Sequence, residues 1–289
     1  MKESDYISQA EKIDLSELVK SGEGANGESY FSKKDPDLMV KMYNAGYDIS
    51  AIVTEVEVAH KVYSIGVPSP KPGVLVTDGT RLGIRFWRVP GKVSFARAIA
   101  DHPERCGELA VEFAQMCREL HSTHCEAGLF PDAKEQYLHL LECDNAFDAA
   151  QKERIAAFIK AVPDSDTALH GDLHFGNAVL DASGNKFWID LGYFSTGCPM
   201  FDLGMTYIVT HHASDEFVFE NYHFHNDVAL TFWEHFLPAY IGTADPAVLA
   251  AKEQEIKAFA ALKSLLIEFN CDGILFDWFK QFFLDTILR

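Results

Sequence analysis

The sequence predicts an α+β fold in two parts, a small antiparallel sheet carrying one helix and then a larger helical region. Three observations predict it. Short extended runs separated by glycine-rich or polar turns crowd the start of the chain. Pro90-Gly91 then breaks it. Beyond that break apolar residues recur mostly at helical spacing. The expected boundaries are 1–90 for the first part and 91–289 for the second.

Residues 18–20, 29–31 and 38–43 read as strands, and 52–64 as a helix ended by Gly66 and Pro68. Extended runs at 73–77 and 82–89 flank Asp78-Gly79, a dipeptide suited to a tight hairpin. After the break, Leu109, Ala110, Phe113, Met116, Cys117 and Leu120 set one apolar stripe on a long helix, which predicts burial. Residues 178–180 and 186–189 are extended again and are joined by Asp181-Ala182-Ser183-Gly184, a second hairpin carried inside the helical part. From Phe201 onward the chain reads as helices, and no internal repeat or low-complexity tract interrupts it.

With 289 residues, 48% hydrophobic and 24% charged, the chain has ordinary globular composition and can bury sizeable cores. Its 43 acidic against 25 basic residues give a net charge of −18. Such a field repels phosphate backbones and anionic lipid and favours cations, so no nucleic-acid or membrane partner is expected. No basic and apolar leader pattern opens the sequence, and no apolar run approaches the ~20 residues that span a bilayer, so a cytoplasmic location is expected. Six scattered cysteines without a C-x-x-C pair read as reduced core thiols. His211-His212 and His223-Phe224-His225 lack a third ligand at recognisable spacing and read as surface or satisfied histidines rather than a metal site.

Chemistry is carried by residues that follow one another in a fixed order. Gly22-Glu23-Gly24-Ala25-Asn26-Gly27 is a G-x-G-x-x-G stretch whose glycines let backbone N–H groups approach phosphate oxygens. The residues after it look extended, which suits a loop folded over phosphates better than a dinucleotide-binding turn. Lys41 lies on an apolar strand, where an ammonium needs an anionic partner. Glu55 and Glu57 on the following helix both offer a carboxylate, but they point about 200° apart, so only one can serve; Glu55 is preferred. The most specific segment is His170-Gly171-Asp172-Leu173-His174-Phe175-Gly176-Asn177, followed by Asp190-Leu191-Gly192. Asp172 and Asn177 reproduce the D-x-x-x-x-N interval of a kinase catalytic loop, with Asp172 as base and Asn177 as a Mg²⁺ ligand. Asp190, just after a strand, matches the aspartate that bridges metal to phosphate, and Mg²⁺ needs few protein ligands because it keeps much of its water. A zinc reading of His170 and His174 fails because no Glu follows His170 and Gly171 suits a loop.

These pieces, with Gly66-Val67-Pro68, Val89-Pro90-Gly91, Leu120-His121-Ser122 and Asp202-Leu203-Gly204, make the chain resemble the aminoglycoside phosphotransferase and choline kinase superfamily over nearly its whole length, especially the bacterial choline-kinase-like branch. The resemblance implies a bilobal protein-kinase-like fold and a small-molecule kinase that uses ATP or GTP with Mg²⁺ on Asn177 and Asp190. It also implies Asp172 as the base and Asp202 as a brace for the catalytic loop. The nucleotide is expected on Gly22, Gly24, Asn26, Gly27, Lys41, Glu55, Trp87 and Val89, with Trp87 departing from the acidic residue common in relatives at that point.

The acceptor is expected to be a small cationic metabolite, with a choline-like amino-alcohol favoured, and the chain a monomer or homodimer. Aromatic residues are dense in the last third, among them Tyr193, Phe194, Tyr207, Phe232, Trp233, Phe236, Tyr240, Phe269, Phe276, Trp278, Phe279, Phe282 and Phe283. Some suit a box for a quaternary ammonium, although most at this spacing pack a core. An aminoglycoside or sugar acceptor would instead want a carboxylate-lined surface, which Glu216, Glu220, Asp227, Glu234, Glu268 and Asp272 offer. A silent nucleotide-binding protein is disfavoured because Lys41, Asp172, Asn177 and Asp190 are all present. A protein kinase is disfavoured because no A-P-E-like segment follows Asp190.

Overall fold

The structure, a computed structural model, describes residues 3–24, 26–270 and 277–289. In chain order its elements are α1 (Glu3–Gln9), β1 (Glu11–Lys12), β2 (Leu18–Gly24), β3 (Gly27–Ser32), β4 (Leu38–Tyr43), α2 (Ile49–Ser64), β5 (Pro72–Thr77), β6 (Leu82–Trp87), β7 (Val93–Ser94), α3 (Phe95–Asp101), α4 (Cys106–Leu120), α5 (Ala133–Cys143), α6 (Ala149–Ala161), β8 (Ala168–Leu169), β9 (Ala178–Leu180), β10 (Lys186–Trp188), β11 (Ser195–Thr196), α7 (Met200–His211), α8 (Asp215–Tyr222), α9 (Asn226–Ile241), α10 (Pro246–Asn270) and α11 (Asp277–Asp285). They fall into two compact units, residues 1–93 with 179–192, and residues 94–178 with 193–289.

The first unit is a six-stranded sheet in the order β1-β5-β6-β4-β3-β2, antiparallel except where the short β1 runs parallel to β5. Strand alternation sorts β4 between two cores. Val40 and Met42 join Val76, with Ile13, Leu15, Leu18 and Tyr30 packed around them. Tyr43 turns the other way, to Ile52 and Val56 of α2 and to Leu82 and Ile84 of β6. The side chain of Lys41 shares that second face, and this is why it meets α2. The helix opens on Asp48, which accepts from the Ser50 N–H. Beyond its end Gly66 takes a φ of 81°.

Three features depart from the sequence reading. Helix α1 carries no pattern that marks it in the sequence; it is held by Tyr6 and Ile7 against the α2-side core, through long-range packing. The β5–β6 connection is not a two-residue hairpin, because Thr77 pairs with Leu82 and leaves residues 78–81 in the loop. The Asp78 carboxylate stabilises this longer turn by accepting from the N–H groups of Thr80 and Arg81 and from the Arg81 guanidinium. Contacts also group most of the β9–β10 hairpin with the first unit: the Trp188 N–H donates to the Pro68 carbonyl and that of Ala182 to the Pro90 carbonyl, each at 2.9 Å.

The second unit is helical apart from its short strands. The stripe on α4 is buried as its spacing predicts, and Phe113 packs on Phe232 and Phe236 of α9. Helix α7 lies against α10 so closely that a Cβ on Gly204 would meet the Phe259 carbonyl carbon at 2.7 Å. Strand β8 pairs antiparallel with β11 and leads directly into the segment that begins at His170. Among the described residues no helix is long and apolar enough to cross a membrane.

Candidate active site

In the first unit, Lys41 donates to Glu55 Oε1 at 2.7 Å and to Asp190 Oδ1 at 3.2 Å. Glu57, the other carboxylate on that helix, is exposed. Burial pulls the Lys41 ammonium down, but the Asp190 and Glu55 carboxylates outweigh it and hold the group above lysine's usual range. The charge is therefore fixed at neutral pH. Asp190 follows β10 with a φ of 56°, a left-handed conformation that is uncommon for a residue with a side chain, and its carboxylate is 53% exposed.

The glycine stretch forms the β2–β3 hairpin, with Gly24 paired to Gly27 and Ala25 outside the described residues. The Asn26 carbonyl accepts from the Asn44 N–H at 3.0 Å, which ties the turn to the end of β4. Gly27 is sterically required, because a Cβ there would stand 2.1 Å from the Met42 carbonyl oxygen. Gly22 has nothing within 4 Å of its Cβ position. Trp87 ends β6 half-exposed, with the Lys71 ammonium 4.5 Å from its ring centroid, while Val89 is buried.

In the second unit, the segment from His170 to Asn177 is a loop pinned from its flanks. Asp202, in the first turn of α7 and 1% exposed, accepts from the His170 N–H at 2.7 Å and from the Gly171 N–H at 2.8 Å. His121 Nε2 lies 3.1 Å from the same carboxylate, and its Nδ1 lies 2.8 Å from the Tyr240 hydroxyl. A Tyr240 O–H donated to Nδ1 fixes the tautomer that donates Nε2–H to Asp202. Burial works against the Asp202 charge, but these donors hold its carboxyl below the usual range. Thr206, one turn along α7, donates to the Leu173 carbonyl at 2.8 Å.

Asp172 projects from this pinned backbone with its side chain 28% exposed. Asn177 Nδ2 donates to both its carbonyl, at 2.9 Å, and its Oδ2, at 3.0 Å. His174 Nδ1 accepts from the Gly176 N–H at 3.0 Å, so the neutral ring carries its proton on Nε2, which faces Asp172 Oδ2 at 3.6 Å. Burial alone would raise the Asp172 carboxyl, but His174, Lys263 and His170 outweigh it and hold the group well below the usual carboxylate range. An ionised oxygen is thus available to take a proton. With its amide nitrogen turned to Asp172, Asn177 has Oδ1 left over as a hard oxygen of the kind Mg²⁺ takes. The partly exposed Asp190 carboxylate of the first unit is a second group of that kind.

The description "Phosphotransferase enzyme family" belongs to the family whose model matches residues 18–233, a span that takes in Lys41, Asp172, Asn177 and Asp190. The chain belongs to the phosphotransferase enzyme family. No curated protein matches this phosphotransferase by sequence. Solved structures do match its fold. A thermostable mutant of aminoglycoside phosphotransferase APH(4)-Ia superposes with a TM-score of 0.60 at 12% identity, over 94% of each chain. An ethanolamine kinase from Plasmodium vivax gives 0.57 at 15% identity, over 86% of this chain and 73% of that one. Aminoglycoside phosphotransferase APH(3'')-Id from Streptomyces rimosus, in complex with ADP and streptomycin, gives 0.52 at 17% identity, over 84% and 92%.

Besides Thr206, two further residues of the phosphotransferase's loop environment escape sequence reasoning. Tyr222, whose hydroxyl stands 3.5 Å from His174 Nδ1, comes from α8 and carries no motif. Lys263 donates to the Gly171 carbonyl from α10. A signal for it exists, since a lysine within Phe259-Ala260-Ala261-Leu262-Lys263-Ser264-Leu265 is a charge in an otherwise apolar run.

Proposed function

We propose that the chain transfers the γ-phosphoryl group of ATP or GTP to a hydroxyl of a small cationic amino-alcohol of the choline type. The observation that carries the reading is Asp172, an ionised carboxylate on a backbone pinned by Asp202, with Asn177 bonded to it. In this mechanism Asp172 orients the acceptor hydroxyl and takes its proton, for which modest basicity suffices because phosphoryl transfer forms little bond to the nucleophile early on. Lys41, oriented by Glu55, offsets charge on the phosphate oxygens. Gly22, Gly24, Asn26 and Gly27 lie over the phosphates, and Trp87 and Val89 lie beside the base. Asn177 and Asp190 are the residues that would hold Mg²⁺, which when bound would neutralise phosphate charge. Residues 1–90 on this reading serve the nucleotide and residues 91–289 the acceptor, in a cytoplasmic enzyme acting as a monomer or homodimer.

Two observations support a cationic acceptor, and the fold is compatible with an amino-alcohol. The chain carries a net charge of −18. Tyr193 is 41% exposed, and its carbonyl lies against the Gly171 position of the loop. The fold is shared with an ethanolamine kinase and equally with aminoglycoside phosphotransferases. Phe194, Tyr207, Phe232, Trp233, Phe236, Phe279, Phe282 and Phe283 are buried as core, so they are not a box. Phe276 and Asp272 lie outside the described residues, as do the side chains of Phe269 and Glu268. A second reading, an aminoglycoside acceptor, is favoured by the exposed carboxylates Glu216, Glu220, Asp227 and Glu234 on α8 and α9. Coupled nucleotide consumption with Mg²⁺ against choline, ethanolamine, aminoglycosides and sugars separates them. Turnover with choline or ethanolamine alone supports the first reading, turnover with aminoglycosides alone the second, and none with any acceptor despite nucleotide binding sinks both in favour of a silent nucleotide-binding protein.

A further inference from the structure

Lys263 is 2% exposed and lies in α10 among residues 259–265 that are all buried. An ammonium there persists only with partners. Burial pulls it below lysine's usual range, while the Asp172 and Asp202 carboxylates act the other way. Its Nζ donates to the carbonyl oxygen of Gly171. Packing explains its reach. Gly204 of α7 admits the α10 backbone at Phe259 and Ala260, and Lys263 follows Phe259 by about one turn on the same face, which directs it toward the loop that Asp202 grips two residues before Gly204.

Gly171 is therefore held at both of its backbone polar groups, the N–H by Asp202 at 2.8 Å and the carbonyl by Lys263. It has no side chain to anchor, and none fits: its φ is 80° and a Cβ would meet the Tyr193 carbonyl oxygen at 2.0 Å. The Gly171 carbonyl and the Asp172 N–H share one planar peptide group, so fixing one fixes the other. The Asp172 N–H in turn donates to His170 Nδ1 at 3.2 Å. We propose that Lys263 is a positioning residue for phosphoryl transfer, which sets the aim of the Asp172 carboxylate by locking the Gly171–Asp172 peptide plane from α10. This rests on the reading of Asp172 as the base.

The test compares wild type, Lys263→Met and Lys263→Arg as full chains, with MgATP and choline. Amide hydrogen exchange is followed over the loop, and thermal melting confirms the fold. In Lys263→Met, kcat is expected to fall roughly 10- to 100-fold while KM for ATP stays within about twofold, because the aim of the base is lost but the nucleotide's contacts are not. Exchange at 170–172 is expected to rise roughly tenfold with the first unit's sheet unchanged. Lys263→Arg, which keeps a donor, restores part of both. Should the Met variant not melt cooperatively, Lys263→Gln is read in its place with the same expected direction. A folded variant whose loop exchange stays at the wild-type level overturns the proposal, as does a kcat loss that merely tracks the fraction folded and is not rescued by arginine. If choline is not turned over, the exchange measurement decides alone. Wild-type turnover by Asp172→Asn would sink the base reading instead, and leaves the exchange result standing.

Discussion

The Lys41 ammonium donates to Glu55 Oε1 at 2.7 Å, across the face that β4 shares with α2. The pair is only partly solvated, with the two side chains 21% and 16% exposed, so its partners orient the charge rather than merely solvate it. On the proposed mechanism, in which this charge would offset that on the phosphate oxygens, Lys41→Met should lower kcat/KM by roughly 10²- to 10³-fold. Glu55→Gln should cost about tenfold by loosening the lysine. Because both act through one group, the double variant should be no worse than Lys41→Met. Glu57→Gln, on an exposed position, should change initial rates less than about twofold. Steady-state kinetics over the four variants checks the set.

Asp202 accepts from two loop N–H groups and from His121 while almost wholly buried. Asparagine there would turn an amide N–H₂ toward groups that also donate. Asp202→Asn is expected to lower unfolding free energy by about 3 kcal/mol, the scale for breaking a buried charged network, read as a shift of the urea midpoint at constant m-value.

Two glycines of one motif should behave differently. Gly27→Ala forces a methyl against the Met42 carbonyl and should cost about 2 kcal/mol or more of stability, through displacement of β3 from β4. Gly22→Ala meets nothing within 4 Å and should leave stability within about 0.5 kcal/mol. Any effect of the Gly22 change should then appear in the nucleotide KM alone. Melting and kinetics on the two variants separate packing from phosphate approach.

His211 is stacked on Tyr207, with centroids 4.2 Å apart, and lies edge-on to Trp233 at 5.4 Å. Burial pushes its pKa down to about 4, with Glu253 opposing and His212 adding to the shift. The folded value lies below the unfolded one, so the unfolded chain takes the proton first. The ring's contribution is present above pH 6.5 and is lost as pH falls through about 4. Allowing for its partial exposure, wild type should lose on the order of 1–2 kcal/mol more than His211→Phe between pH 7.5 and 4.5. Urea titrations of both proteins at the two pH values read this directly.

Much of this was legible because periodicity and spacing are local. The period of two along Leu38-Met39-Val40-Lys41-Met42-Tyr43 marks Lys41 as a charge on an apolar strand, and the helical stripe from Leu109 to Leu120 marks a buried face. The D-x-x-x-x-N interval shows as contact between Asp172 and Asn177 because both lie in one short loop. What escaped depends on elements far apart in sequence. The parallel β1–β5 pairing and the docking of α1 are examples. So are the contacts that tie the β9–β10 hairpin to Pro68 and Pro90. The motif suggests that Gly27 leaves room for phosphate, whereas in the structure the Met42 carbonyl already requires it to be glycine. Composition could not separate core from box among the aromatics, since a buried Phe232 and an exposed Tyr193 are equally aromatic in sequence.

The most direct test of the central claim is transfer of radiolabelled γ-phosphate from MgATP or MgGTP to an amino-alcohol by wild type and Asp172→Asn, with nucleotide affinity measured on both. Wild type is expected to give labelled acceptor, and Asp172→Asn a rate lower by roughly 10²- to 10⁴-fold with nucleotide affinity within about threefold. A variant that labels acceptor at the wild-type rate would contradict it.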